Sequence, residues 1–358
     1  MEEVCFAQDG IDPDLLPLEE LADCAATVLA ADGKRILSYG PGAGYTPLRE
    51  LIGEWFRVHP GRVVITNGSL HALWLLVRLF RPGATVVAEY PVHDRAERVL
   101  LDAGAVLASV EVDRDGLVVD QLRQQLTEYL RPSFVYTVPT FHNPTGAVMS
   151  EPRRRAIVEL VAEHNRIQPD KIAIVENDCY ALTRFDGERL PTLFDASGGT
   201  TVYLSSFSAT VAPGLRVGWL ILPDDLAARA GELAGSTSIT PVQLGQAAVF
   251  ELIRRGSFES NLMQLRYALR LRRDSMVAAL GAYLPDALWT TPAGGIFMWI
   301  ELPPGTDSRT LVQKSGVRFA EPGTSFSSTA NRVRLSFGAV SPAEIVAGLE
   351  ALAAAREL

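Results

Sequence analysis

Between about residues 60 and 220, short apolar runs alternate with stretches whose apolar positions recur every three or four residues. That alternation is the pattern of strands joined by crossover helices, and it predicts an α/β fold with a mostly parallel sheet. The runs Arg62 to Thr66, Thr85 to Glu89, Phe134 to Val138, Lys171 to Glu176, Thr201 to Ser205 and Val217 to Leu222 are rich in Val, Ile, Tyr and Leu and predict strands. Helical spacing over Pro241 to Arg255 and over Phe258 to Leu284 predicts two long helices, with Pro241 in a first turn that tolerates proline. Further on, Trp289 to Leu302 and Arg332 to Phe337 read as strands, followed by a terminal helix after Pro342. The change of texture predicts a large domain over 39–250 and a smaller α+β domain made of 1–38 and 251–358.

The chain has 358 residues and is 47% hydrophobic, enough to bury a large core. Its net charge of -9 argues against a nucleic-acid partner, since phosphate backbones call for a basic surface. The basic run Arg153 to Arg155 reads as a solvated helix face. No basic segment followed by an apolar stretch opens the chain, and the apolar segment Leu70 to Phe80 is broken by Arg78, so neither a secretion signal nor a membrane span is expected. Cys5, Cys24 and Cys179 are too few and too scattered for a disulfide framework or a zinc site, which points to a reducing, cytoplasmic setting.

Two groups of residues suit a bound phosphate. Thr66, Asn67, Gly68 and Ser69 end a strand and open an apolar helix, where free N–H groups and the helix dipole favour an anion. Such a helix start is, taken alone, most often a simple cap. Farther along, Ser206 and Ser208 follow a strand, and Arg216 arrives ten residues after Ser206 with a planar fork suited to phosphate oxygens.

The stretch SFSA at 206–209, followed by PGLR at 213–216, resembles the fold-type I pyridoxal-5'-phosphate (PLP) enzymes, specifically the class I/II aminotransferases of the aminoadipate and kynurenine branch. FAQDGIDPDLLP (6–17), YGPGAGYTPLRE (39–50), TNGS (66–69), PTFHNPTG (139–146), ENDCY (176–180) and NRVRLSF (331–337) extend the likeness over nearly the whole length in family order. The resemblance implies the family's architecture: a large domain with a seven-stranded, mostly parallel sheet between helices, plus a smaller α+β domain. It makes PLP the cofactor and an amino acid the substrate, converted to a keto acid by way of pyridoxamine phosphate. Gly68, Ser69, Ser206, Ser208 and Arg216 would hold the phosphate; Asn143 and Tyr180 the phenolic oxygen; Arg334 the substrate's α-carboxylate, beside Asn143. Tyr39 would reach the cofactor of a neighbouring subunit, which implies a homodimer with shared sites.

Several positions depart from the family. Ala209 stands where the family's lysine bonds the cofactor covalently and moves the Cα proton, a task alanine cannot perform. Lys34, Lys171 and Lys314 are the chain's only lysines, and none has a context that could substitute. Either the lysine was replaced deliberately to trap an adduct or it was lost naturally; the intact flanking apparatus favours the former. The family's aspartate on the pyridine nitrogen falls on Asn177, with Asp178 one residue away as the alternative. His93, two residues after Pro91, takes the place of the stacking aromatic and is also a candidate proton carrier. Gln8 and Asp9 replace small glycines and are candidates for substrate recognition, and Leu70 replaces a polar residue beside the phosphate. These departures keep open a decarboxylase or β-eliminating lyase and a non-catalytic PLP-binding protein. The few residues before Tyr39 and the acidic charge speak against a fused DNA-binding module.

Overall fold

The computed structural model describes residues 4–80, 83–128, 132–319 and 331–356. In chain order its strands are β1 (Val63–Thr66), β2 (Thr85–Tyr90), β3 (Val106–Asp113), β4 (Gly116–Leu117), β5 (Pro132–Thr137), β6 (Ala173–Asn177), β7 (Val202–Ser206), β8 (Gly218–Ile221), β9 (Leu288–Trp289), β10 (Phe297–Glu301) and β11 (Arg332–Ser336). The first eight form one sheet in the order β1-β8-β7-β6-β5-β2-β3-β4. Pairing is parallel from β3 through β2, β5 and β6 to β7, while β8 runs antiparallel to both β7 and β1. The expected mostly parallel sheet is therefore present, with the two-residue β4 added beside β3 as an eighth strand.

Helices cover both faces, so the central strands are apolar on both sides rather than alternating. Every residue of β1, β5, β7 and β8 is buried. On one face Val64, Tyr136, Val175, Leu204 and Leu220 pack under Leu73 and Leu76 of the helix Ser69–Leu79. On the other, Ile65, Tyr203, Trp219 and Ile221 join the cluster that includes Ala247 and Leu252 of the helix Gln243–Arg254. That helix starts at Gln243, so Pro241 precedes it instead of lying in its first turn. Strand β3 has no counterpart among the expected elements. It is half exposed, since it stands near the sheet edge, and its polar positions hide it from a reading based on apolar runs.

Strands β9, β10 and β11 form a separate antiparallel sheet, which puts Trp299 opposite Arg334. The helix Ser257–Tyr283 packs against the terminal helix Pro342–Arg356 beside it. The N-terminal arm is stitched to this part of the molecule. Phe6 N–H donates to Arg318 O at 2.6 Å, Ser336 N–H to Phe6 O at 2.9 Å and Asp12 N–H to Gly338 O at 2.8 Å.

Strands β1, β2, β5, β6 and β7 all point the same way, so the residues that follow them meet along one sheet edge. Ligands of open α/β sheets bind outside such carboxyl ends. At that edge β1 and β8 approach so closely that a Cβ on Gly218 would lie 2.7 Å from the Gly68 carbonyl carbon and 2.9 Å from its Cα. Both are backbone atoms that cannot swing aside. Gly218→Ala is therefore expected to cost about 1–3 kcal/mol of stability through overpacking. Urea denaturation of the two proteins checks this; a difference under about 0.5 kcal/mol, the scale of ordinary surface substitutions, would contradict it.

Candidate active site

The candidate anion-binding corner is built by two loops. Gly68, at φ 86°, precedes the helix Ser69–Leu79 and provides no side-chain cap for its first turn. Thr66 Oγ donates to Gly68 O at 3.0 Å, and Asn67 N–H donates to His71 Nδ1 at 3.0 Å. Arg216 crosses over this turn from the start of β8. Its guanidinium donates to Asn67 O and to Pro213 O, each at 3.0 Å, and a Cβ on Gly68 would sit 2.2 Å from Nη2. Glycine at 68 is thus what lets a guanidinium lie beside an uncapped helix N-terminus, two features that both favour an anion. Ser206 Oγ lies 2.8 Å from Ser208 Oγ and accepts from the Ser208 N–H at 3.1 Å, which places both hydroxyls at the end of β7. Ala209 follows and is buried. Leu70 is half-buried and lines a groove with Trp74, Val99 and Ser238.

The second group surrounds Asn143. Asn143 Oδ1 accepts from Arg334 Nη1 at 2.8 Å, and Asn143 Nδ2 is buried without a hydrogen-bond partner. Burial, then the negative charge of Asp9, pushes the Tyr180 phenol well above its ordinary value, so it keeps its proton. Its ring meets Phe297 edge-on at 5.4 Å, and the Arg334 guanidinium lies 4.3 Å from the centre of that same ring. Asp9 reaches this group from the N-terminal arm, with Oδ1 2.6 Å from Arg334 Nη1. His93 Nε2 is 3.5 Å from the other Asp9 oxygen and 3.4 Å from Asp94. Gln8 is exposed, and so is Tyr39, at 80%.

Strand parity separates the two candidates at the end of β6. Asn177 pairs in register with Leu204 and shares the face of Tyr136 and Val175, under the helix Ser69–Leu79. Its Nδ2 donates to the Tyr136 hydroxyl at 2.7 Å, and its Oδ1 is buried without a partner. Asp178 does not join it. The next side chain along a strand must take the opposite face, and there Asp178 accepts from the Tyr203 hydroxyl at 2.8 Å. A cavity of about 770 Å³ opens on that opposite face, lined by Trp55, Tyr203, Trp219 and Arg266 among others, and none of the site residues line it.

Three polar residues not singled out from the sequence support the site from below. Glu89, buried in β2, accepts from Val138 N–H at 2.7 Å and from the Thr137 hydroxyl, and stands 3.3 Å from His142 Nε2. Arg154, expected to be solvated, is instead buried: it donates to Pro139 O at 2.8 Å and to Thr140 Oγ at 3.0 Å, bracing the loop that carries Asn143. A charged residue inside an apolar strand was the available signal for Glu89; for Arg154 the helical run of arginines offered none. Glu176 accepts from the backbone N–H groups of Leu193 and Phe194. Burial, followed by repulsion from Asp178, outweighs those bonds and the charge of Arg154 and pushes the Glu176 carboxyl up to about 8.

Together the fold and the site define a cofactor enzyme built on the carboxyl edge of a parallel sheet. The aminotransferase class I and II family matches residues 12–352, and the chain belongs to that family. It is 34% identical to a 2-aminoadipate transaminase of Thermus thermophilus over 95% of this chain and 86% of that protein. The solved α-aminoadipate aminotransferase from Thermus thermophilus, complexed with N-(5'-phosphopyridoxyl)-L-leucine, superposes with a TM-score of 0.92 at 31% identity, covering 99% of this chain and 92% of the other. An uncharacterized HTH-type transcriptional regulator of Bacillus subtilis strain 168 is 31% identical over 96% of this chain and 71% of its own length.

A carboxyl whose folded pKa is raised holds a proton that the unfolded chain has lost, so stability falls as pH climbs from the unfolded to the folded value. Between pH 4.5 and about 8 the Glu176 site is therefore expected to lower the melting temperature progressively, and Glu176→Gln to flatten that fall. Thermal melts across this range check it, and equal pH slopes for the two proteins would contradict it.

Proposed function

We propose that this edge holds PLP without a covalent bond, and that the site transfers an amino group between an amino acid and a keto acid once position 209 carries a lysine. The buried unpartnered Asn143 Nδ2 and Asn177 Oδ1 support the fit, because one presents a donor and the other an acceptor on the ligand side of the sheet edge. The phosphate belongs at the corner of Ser69, Ser206, Ser208 and Arg216, which has hydroxyls, a guanidinium and a helix N-terminus and, among the described residues, no carboxylate bonded to them. When bound, the cofactor supplies an electron sink for the pair left at Cα.

The chain's own residues do the rest. Arg334 orients the α-carboxylate through a fork already fixed by Asn143 and Phe297. Tyr180, protonated at neutral pH, donates to an oxygen at the ring edge. Asn177 is the partner of the ring nitrogen on this reading, and as a neutral amide it holds less positive charge there than the family's aspartate would. No amine stands at Ala209 to bond the carbonyl or to carry the Cα proton, so the chain as written is silent in transfer. The family's homodimer is part of the proposal, since Tyr39, 80% exposed in one chain, is the residue that would complete a partner's site. A decarboxylase or β-eliminating lyase is the second reading, favoured by Asn177 and by His93 beside Asp9.

Position 209 supplies the decisive experiment. Restoring a positioned proton carrier is worth about 10²–10⁴ in rate, so Ala209→Lys loaded with PLP is expected to form keto acid from a panel of amino acids at least about 100-fold faster than the parent. Release of carbon dioxide in place of keto acid would move the assignment to the second reading, and equal rates for the two proteins would overturn both.

A further inference from the structure

Arg334 is the residue on which substrate recognition rests in the reading above, and in this structure another carboxylate already stands on it. We propose that Asp9 is a built-in competitor for the carboxylate seat on Arg334 and thereby weakens the site's hold on carboxylate ligands. This inference rests on the assignment of Arg334 to the substrate carboxylate.

Four observations carry it. Arg334 is buried at 2% exposure, and Asp9 Oδ1 lies 2.6 Å from its Nη1, so the charge that should greet a substrate is already neutralised. Two N–H bonds of the fork go to Asn143 Oδ1 and to the Ala7 carbonyl, and Asp9 Oδ1 accepts no directed hydrogen bond. The contact is therefore Coulombic, and a better aligned carboxylate can displace it. Third, Asp9 has somewhere to go: its second oxygen is 3.5 Å from His93 Nε2 and 3.9 Å from Arg95 Nε. Finally, the arm is anchored on both sides of Asp9, by Phe6 to Arg318 and Ser336 and by Asp12 to Gly338 and Arg272, while a Cβ on Gly10 would meet nothing within 4 Å. Asp9 can thus exchange partners by moving a short loop rather than by releasing the arm.

The charge state is fixed across ordinary conditions. Burial alone would raise the Asp9 carboxyl, but the contact with His93 and the charges of Arg334, His93 and Arg95 outweigh it and hold it at about 2. Two ionised carboxylates cannot both take one guanidinium without repulsion, so an amino acid must first win Arg334 from Asp9. A ligand without a carboxylate meets no such competition. The seat therefore discriminates against carboxylates by the fraction of molecules in which Asp9 has already turned away.

Titration of 3-phenylpropionate and of its uncharged amide, 3-phenylpropionamide, into the full chain tests this by calorimetry, with and without PLP. If Asp9 leaves Arg334 in a tenth of the molecules or fewer, removing it raises carboxylate affinity at least about tenfold. Asp9→Asn and Asp9→Gly are expected to show that gain for the acid and none for the amide, and Arg334→Leu to abolish the gain in the Asp9→Asn background. Equal or weaker binding of the acid by both Asp9 variants, with melting temperatures near the parent's, would overturn the proposal. Failure of every protein to bind PLP would overturn the cofactor reading instead, while the ratio of acid affinities would still decide the role of Asp9.

Discussion

The molecule depends on how closely two backbones approach at one edge of its sheet. Gly68 and Gly218 touch through main-chain atoms, and only because neither carries a Cβ can Arg216 lie across the start of the helix Ser69–Leu79. That contact sets β1 against β8 in register and leaves an uncapped helix terminus next to a guanidinium and two hydroxyls. Everything else at the edge is arranged around it. The parallel strands bring Asn143, Asn177, Tyr180 and Ala209 to the same rim, and the antiparallel sheet of β9 to β11 brings Arg334.

Beneath the rim lies a layer of buried ionisable groups. Arg154, Glu89, Glu176 and Asp178 are nearly inaccessible, and each is tied to backbone groups or to another side chain. Buried charges are costly unless they are paired and hydrogen-bonded. Here Glu89 and Arg154 return that cost as geometry: they fix Val138 and Pro139, on either side of the turn into the Asn143 loop. At Asp9, by contrast, the contact to Arg334 is not a directed bond.

Much of this was readable from residues alone. The central strands announce themselves as apolar runs because both of their faces are covered, and the corner proposed for the phosphate is marked by glycine and hydroxyl residues following predicted strands. Strand β3 escapes because Ser109, Glu111 and Asp113, three of its four exposed positions, are polar, and Arg154 because nothing in a run of three arginines tells which one turns inward. Asn177 and Asp178 fall on opposite sides of the sheet, since Asn177 stands opposite Leu204 in register and Asp178 takes the other face. The pairing of Asp9 with Arg334 spans almost the whole chain, and no local pattern encodes it; the arm's backbone bonds to Arg318 and Ser336 bring the two together.

Non-covalent capture of PLP by this edge is the central claim, and equilibrium binding followed by borohydride reduction and mass measurement tests it most directly. The chain as written is predicted to bind PLP saturably at one per chain, to lose that binding in Arg216→Ala, and to gain no mass on reduction. Absence of saturable binding, or a reduced adduct fixed on Lys34, Lys171 or Lys314, would contradict it.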